Sequence, residues 1–402
     1  MRVTSKKLLM ITIAIYIMCI VMWDDGQNHF SAIARLLVFG AAIMYFCKRG
    51  FPKSRYLLQT GLFLVYGWCS YVWAMNQHNT FENALTITYI FIIDNVIIAF
   101  LLKNKEDFIS FSKVMFWAAI LKALSVFAKN GFLAYVSARQ GEGLVNANSV
   151  GLASATAFCF GLIILESLGR SNKKTLYKIG MLIHVLIIVL TASRKAILVL
   201  SIPIIIYLVL KEKNPLKTIR NIMVVMAIGI FGLYLMLHVE FLYNLGGNRI
   251  ESLINYMFFN GATDGSTSFR MHLIEWGIGW FKQRPVFGYG LMNYKALLGT
   301  MGTWAGVEGT YAHNNYVELL VDVGLVGTLI YYFPYLSIIK KGIQTARERN
   351  FTRLIMLGLL VSILISEYGL VTYYDKYTQV TIVLIWYAIF NELPEQLERR
   401  AQ

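Results

Sequence analysis

The chain has 402 residues, 57% of them apolar and only 15% charged, against roughly 25% charged in an ordinary soluble domain. The apolar residues fall in repeated blocks of about 16 to 24, the length that crosses a bilayer as helix, which excludes an ordinary soluble enzyme. The net charge of +15 comes from 37 Lys and Arg against 22 Asp and Glu; it suits nucleic acid, anionic lipid or the cytoplasmic loops of a polytopic protein, and the positions of the charges separate these.

Twelve apolar blocks follow one another at about 8–23, 30–47, 56–73, 82–102, 108–128, 150–168, 179–193, 196–210, 221–238, 314–339, 351–370 and 378–392. The first follows a basic arm (Arg2, Lys6, Lys7) without a small-residue cleavage site, so it reads as a retained helix rather than a signal peptide. The seventh and eighth are separated only by Ala192-Ser193-Arg194-Lys195 and read as a tight hairpin or one broken unit. Cys19, Cys47, Cys69 and Cys159 lie in or beside apolar blocks with no CxxC spacing, so neither a disulfide nor a metal site is expected.

With the N-terminus placed in the cytoplasm, 24 of the 37 Lys and Arg fall in cytoplasmic connections and 10 in outer ones. The positive-inside rule then predicts both termini cytoplasmic, and the nucleic-acid reading falls away. Residues 1–402 are expected to form a single integral membrane domain, all-α and polytopic with about twelve transmembrane helices. Within the spans, Arg35, Asp94, Lys113, Lys122, Glu166, Glu318 and Asp322 are costly unless paired or facing water. Arg35 and Asp94 are expected to neutralise each other, and Lys122 to face a substrate cavity.

Two outer connections are too long to be mere connectors, one over 129–149 and one over 239–313. The first carries Arg139-Gln-Gly-Glu-Gly-Leu-Val-Asn146-Ala-Asn148-Ser149, which is either a turn with a helix cap or a ligand loop with donors on Arg139, Asn146 and Asn148. The hairpin cations Arg194 and Lys195 sit against the charge bias, so they meet an anion or snorkel to headgroups. In the long loop Phe269, Leu273, Trp276 and Trp280 recur at helical spacing after Ser266 to Ser268, and Pro285 ends the run. That amphipathic helix is expected at the outer membrane boundary, with His272 and Glu275 on its other face. Arg270 lies near its start; Arg284 and the Gly288-Tyr-Gly290 turn follow it. Next comes Tyr311-Ala-His313-Asn314-Asn315-Tyr316, in which His313 is a candidate base or a boundary cap. No Walker loop, GxSxG or HExxH is present, so no cytoplasmic energy source is visible.

His313-Asn314, nine residues, then Gly324-Leu-Val-Gly327 is similar to the His-[Asn/Ser/Gln]-x9-Gly-x-x-[Gly/Thr/Tyr] pattern of the O-antigen ligase and O-antigen polymerase superfamily. The Ser193-Arg194-Lys195 element, Arg270, the Pro285-x-x-Gly288-x-Gly290 stretch and the run ending at Ser149 also resemble theirs, convincingly over about residues 139–330. The resemblance implies a GT-C-like glycosyltransferase acting at the outer face of the bacterial inner membrane without metal or cofactor. Its donor would be an undecaprenyl-diphosphate-linked glycan, its surroundings membrane lipid, and its further partner a polysaccharide chain-length regulator. Arg194 and Arg270 would stabilise the leaving pyrophosphate, and His313 would deprotonate the acceptor hydroxyl. Arg139, Lys195, Arg284, Asn148, Asn314, Tyr311 and Lys122 would bind substrate, and Glu275 and Glu318 are alternative bases. The expected reaction is polymerisation of repeat units for O-antigen or capsule. A ligase acting on lipid A–core and a flippase for lipid-linked glycan are the rivals.

Overall fold

A computed structural model describes residues 4–23, 30–46, 54–131, 146–259, 265–301 and 310–391. Among these residues there are helices and no strands. The helices are α1 Ser5–Trp23, α2 Phe30–Phe46, α3 Arg55–Cys69, α4 Gln77–Leu101, α5 Lys105–Asn130, α6 Ala147–Ser167, α7 Lys174–Thr191 and α8 Arg194–Leu210. They continue with α9 Pro215–His238, α10 Asn248–Phe259, α11 Gly265–Gln283, α12 Asn293–Thr300, α13 Asn315–Ala346, α14 Phe351–Ser366 and α15 Lys376–Phe390. Eleven of the apolar blocks each fall on one helix, and block 314–339 falls on the two halves of α13 either side of Gly324. Seven of the helices are long and apolar enough to cross a membrane (α1, α4, α5, α6, α7, α9 and α13), and α2, α14 and α15 are shorter apolar helices. The all-α polytopic membrane class therefore holds.

Polar side chains start many of these helices by accepting an orphan N–H of the first turn. Asn104, Asn146, Ser193, Asn214, Asn314, Asn350 and Asp375 each cap the helix that follows. Contacts between connections fix which ends lie together. Ser193 Oγ donates to Asn148 Oδ1 at 3.0 Å, Lys122 Nζ donates to Ser149 Oγ at 2.7 Å, and Lys195 Nζ donates to the Gly369 carbonyl. These gather the α5–α6, α7–α8 and α14–α15 connections at one end of the bundle. At the other end Lys6 bridges Asp107 at 2.8 Å, Thr352 meets Glu166, Arg349 reaches the Leu210 carbonyl and Arg353 reaches that of Asn391. The start of α1 and the end of α15 thus lie at the same end.

Arg35 and Asp94 do not form the ion pair expected of them. The Arg35 guanidinium lies over the Tyr89 ring at 4.6 Å, a cation–π contact that satisfies a cation where a carboxylate was anticipated. Asp94 is fully buried within a π-helical stretch of α4, Ile90–Ile98.

The feature that shapes the site is a break in α13. Gly324 has φ 65° and ψ −171°, a region open essentially to glycine alone. The break is a reversal. Asn315 Nδ2 donates to Tyr332 Oη at 2.9 Å although the two are 17 residues apart, which on one straight helix would separate them by roughly 26 Å. The half 315–323 therefore runs back alongside the half 325–346, and Tyr316 stacks on Tyr332 at 5.3 Å. Asn315 lies about 12 Å along the axis from the Gly324 turn.

The reversal strips backbone groups of helical partners, and the 285–290 stretch supplies new ones. Tyr289 N–H donates to Val321 O at 2.9 Å and Gly290 N–H to Asp322 O at 2.7 Å. Leu325 N–H donates to Pro285 O at 2.8 Å and Val326 N–H to Val286 O at 3.2 Å. The two strips approach so closely that a Cβ on Gly324 would stand 2.3 Å from the Val286 oxygen, and one on Gly288 would stand 2.6 Å from backbone of 321–324. Gly324→Ala is therefore expected to destabilise the protein by about 3 kcal/mol or more, combining backbone strain with overpacking. Gly40, whose Cβ direction is open, is the matched control as Gly40→Ala. Thermal unfolding of both in detergent checks this, and equal melting temperatures would refute the reversal.

Candidate active site

His313 stands at the turn that leads into the reversed half-helix. Its φ is 52°, the left-handed region, and its ring lies 4.0 Å from the half-buried Tyr311 ring. Tethers on both sides hold it there. Before it, Ala312 N–H donates to Glu318 Oε2 at 2.7 Å. After it, Asn314 Oδ1 accepts Val317 N–H at 3.1 Å as the cap of α13.

Asn315 fastens this turn to the α14–α15 connection. Its N–H donates to the Glu367 carbonyl at 2.9 Å, and its Oδ1 accepts Thr372 N–H at 2.9 Å and Tyr373 N–H at 3.1 Å. Glu367 in turn accepts the hydroxyls of Tyr332, at 2.7 Å, and of Thr372. The same connection carries Gly369, whose carbonyl receives Lys195. Asn315, two residues after His313, and Lys195 on α8 are thereby held to one strip of backbone.

The third element is α11. Its apolar face, expected at the membrane boundary, packs on protein instead: Leu273 is fully buried with Tyr294, Leu297, Ala312, Val317 and Val321, and Phe269, Trp276 and Trp280 pack around them. Gly277 allows the close approach, since a Cβ there would stand 2.3 Å from Val317. Burying that stripe on α12 and α13 aims the start of α11, with Arg270, at the His313 turn. The result is electrostatic. Burial first, then the charges of Arg270 and Lys195, push the His313 pKa down from 6.5 to about 4. Burial and Glu318 push the Tyr311 ionisation up, and Arg270 pulls it down.

Residues anticipated as one site thus divide. His313, Tyr311, Arg270 and Lys195 converge from α8, α11 and the turn before α13. Arg194 opens α8 beside the Ser193 cap, half-buried. Asn148 and Lys122 are engaged by Ser193 and Ser149 at the neighbouring connection. Asn314 is buried and spends its side-chain oxygen on the cap. Arg284 follows the last residue of α11, roughly 21 Å along the helix from Arg270, and lies over the Tyr289 ring at 4.6 Å. Glu275 is exposed and meets His272 at 3.3 Å. Arg139 lies outside the described residues. Asn315 and Glu367 were not anticipated as parts of a site. The signal for Glu367 was a carboxylate directly after an uninterrupted apolar helix, where a charge is costly unless something satisfies it.

Residues 179–332 match the family model described as O-antigen ligase. No curated protein matches the chain. The matched stretch runs from α7 to the middle of α13 and takes in Arg194, Lys195, Arg270, the 285–290 stretch, His313 and the Gly324 reversal. The resemblance read from the sequence therefore holds over this stretch: the chain is an all-helical polytopic membrane protein whose residues 179–332 are similar to the O-antigen ligase family.

Proposed function

We propose that the protein is a glycosyltransferase that joins lipid-linked glycan units, working as a polymerase of surface-polysaccharide repeats. The convergence of His313 with Arg270 and Lys195, drawn from three separate parts of the domain, carries this reading. A histidine held neutral beside two cations suits transfer from a sugar diphosphate. His313 takes the proton of the acceptor hydroxyl, the acceptor oxygen bonds to the anomeric carbon, and the bond from that carbon to the diphosphate oxygen breaks with inversion. The diphosphate leaves with its electron pair, and Arg270, Lys195 and Arg194 neutralise the charge that develops. His313 then returns its proton to water. No metal enters the scheme, because the cations supply the electrostatic stabilisation.

In this reading the donor is an undecaprenyl-diphosphate-linked glycan, and the His313 end of the bundle faces the periplasm, with 239–313 as the large periplasmic loop and 129–149 as a shorter one. The opposite end, which gathers the starts of α5, α7, α9 and α14 and most of the basic connections, faces the cytoplasm with both chain termini. The whole of 1–402 is then one membrane domain crossing about twelve times, in the bacterial inner membrane. The acceptor is a second lipid-linked unit, and a chain-length regulator is its natural partner.

A deletion strain complemented with wild type or His313→Ala tests this on a gel of surface polysaccharide, with membrane levels of both proteins checked. A ladder that collapses to single repeats on lipid A–core supports the polymerase. Loss of all glycan from lipid A–core, with long lipid-linked chains accumulating, would make the protein a ligase. Transfer by purified His313→Ala should fall by about 100-fold or more, the range for a lost general base.

The pH dependence follows from the depressed pKa. Only neutral His313 can accept a proton, so kcat/KM should stay level from pH 8 to about 5 and fall as the pH drops through about 4. His313 in the unfolded chain binds its proton at higher pH than in the fold, so its contribution to stability is full above about 6.5 and is lost on acidification towards 4. A kcat/KM profile that already falls at pH 6.5 would argue against this environment for the base.

A further inference from the structure

Glu318 lies in the reversed half of α13, one turn beyond its start, with 1% of its surface exposed. Oε2 accepts the Ala312 N–H at 2.7 Å, while Oε1 is buried without a hydrogen-bond partner among the described residues. Asp322, four residues on, is buried differently: it accepts Met292 N–H at 2.9 Å, Tyr294 N–H at 2.6 Å and Tyr373 Oη at 3.0 Å. Asp322 thus fastens the segment after Gly290 to α13. Glu318 fastens a single bond.

A buried carboxyl group is costly whether charged, through desolvation, or neutral, through an unsatisfied polar oxygen, and one hydrogen bond offsets only part of that cost. Stability therefore does not account for Glu318. Its one bond goes to the peptide N–H immediately before His313, whose left-handed φ of 52° is itself strained for a residue other than glycine. Asn314 and Asn315 fix the chain after His313, and the Ala312 bond is the side-chain tether before it.

We propose that Glu318 is a positioning residue for the glycosyl transfer, holding the Tyr311–His313 turn through Ala312 so that the His313 ring stays beside Arg270 and Lys195. This rests on the reading of His313 as the base. Glu318 touches no reactant and carries no transferred proton. What the site needs from it is a hydrogen-bond acceptor at a fixed reach.

Two substitutions separate reach from charge. Glu318→Gln keeps an acceptor oxygen at the same distance and removes the charge; Glu318→Asp keeps the charge and shortens the reach by one methylene. Steady-state transfer by purified proteins, with lipid-linked repeat unit as substrate, should show Glu318→Gln within about 3-fold of wild type. Glu318→Asp should lose about 100-fold in kcat with donor KM nearly unchanged, the cost of misplacing a catalytic group by about an ångström. An active Asp variant with an inactive Gln variant would overturn the proposal in favour of a charged or proton-accepting role. Two active variants would show that the bond is dispensable, and two inactive ones would make charge and reach jointly the requirement; either result overturns it. His313→Ala runs in parallel. If that protein keeps its activity, the reading of the base has failed independently of anything Glu318 does.

Discussion

The arrangement depends on one residue's backbone. At Gly324 the chain leaves helical geometry with φ 65° and turns α13 back on itself. A helix broken inside a membrane protein exposes carbonyls and N–H groups with no water to satisfy them. The 285–290 stretch answers with four backbone hydrogen bonds, two on each side of the break, so the loop and the break stabilise each other. Gly288 lies where two backbones pass too closely for any side chain, while Gly290 gives its N–H to Asp322 O and lies against Ala74.

The reversal also sets depth. Nine residues separate Asn314 from Gly324, and they form the short half-helix 315–323. Its length of roughly 13 Å carries His313 away from the Gly324 turn to the level of Tyr332 and the α14–α15 connection. Helices α14 and α15 have 16 and 15 residues, some 24 and 22 Å, less than the roughly 30 Å of a hydrocarbon core. Their connection can therefore meet Asn315 at depth. Lengthening the nine-residue spacer would move the histidine away from the strip that also holds Lys195, which gives the spacing in the His-Asn-x9-Gly pattern a mechanical meaning.

The apolar blocks were legible in the sequence because length and hydropathy nearly suffice to define a membrane helix. His313, Arg270 and Lys195 were legible as chemistry: a histidine beside donors and cations placed against the charge bias. Their convergence was not legible, because it depends on α11 turning its apolar stripe onto Tyr294 and Val317 rather than onto lipid, and an amphipathic stripe does not say which apolar surface it meets. Gly324 stood out as part of the His-Asn-x9-Gly pattern, but nothing in that pattern marks a reversal, so block 314–339 read as one span. Arg35 misled for a similar reason. Charge complementarity suggested Asp94, whereas the Tyr89 ring, five residues earlier on the same helix, met the guanidinium.

The electrostatics of the turn add a constraint on order of events. In the free protein two cations help to hold His313 far below its ordinary pKa, so it is neutral but weak as a base. On the proposed function, a diphosphate seated between Arg270 and Lys195 offsets their part of the depression, though not the larger part due to burial, and the histidine gains basicity when the donor binds. By reciprocity, anything that favours protonation of His313 also favours binding of the anion. A base of low pKa drives proton transfer poorly, and one close to the working pH drives it best. In that reading the base is stronger when the leaving group is in place, which would couple activation of an acceptor hydroxyl to the presence of a donor that can receive it.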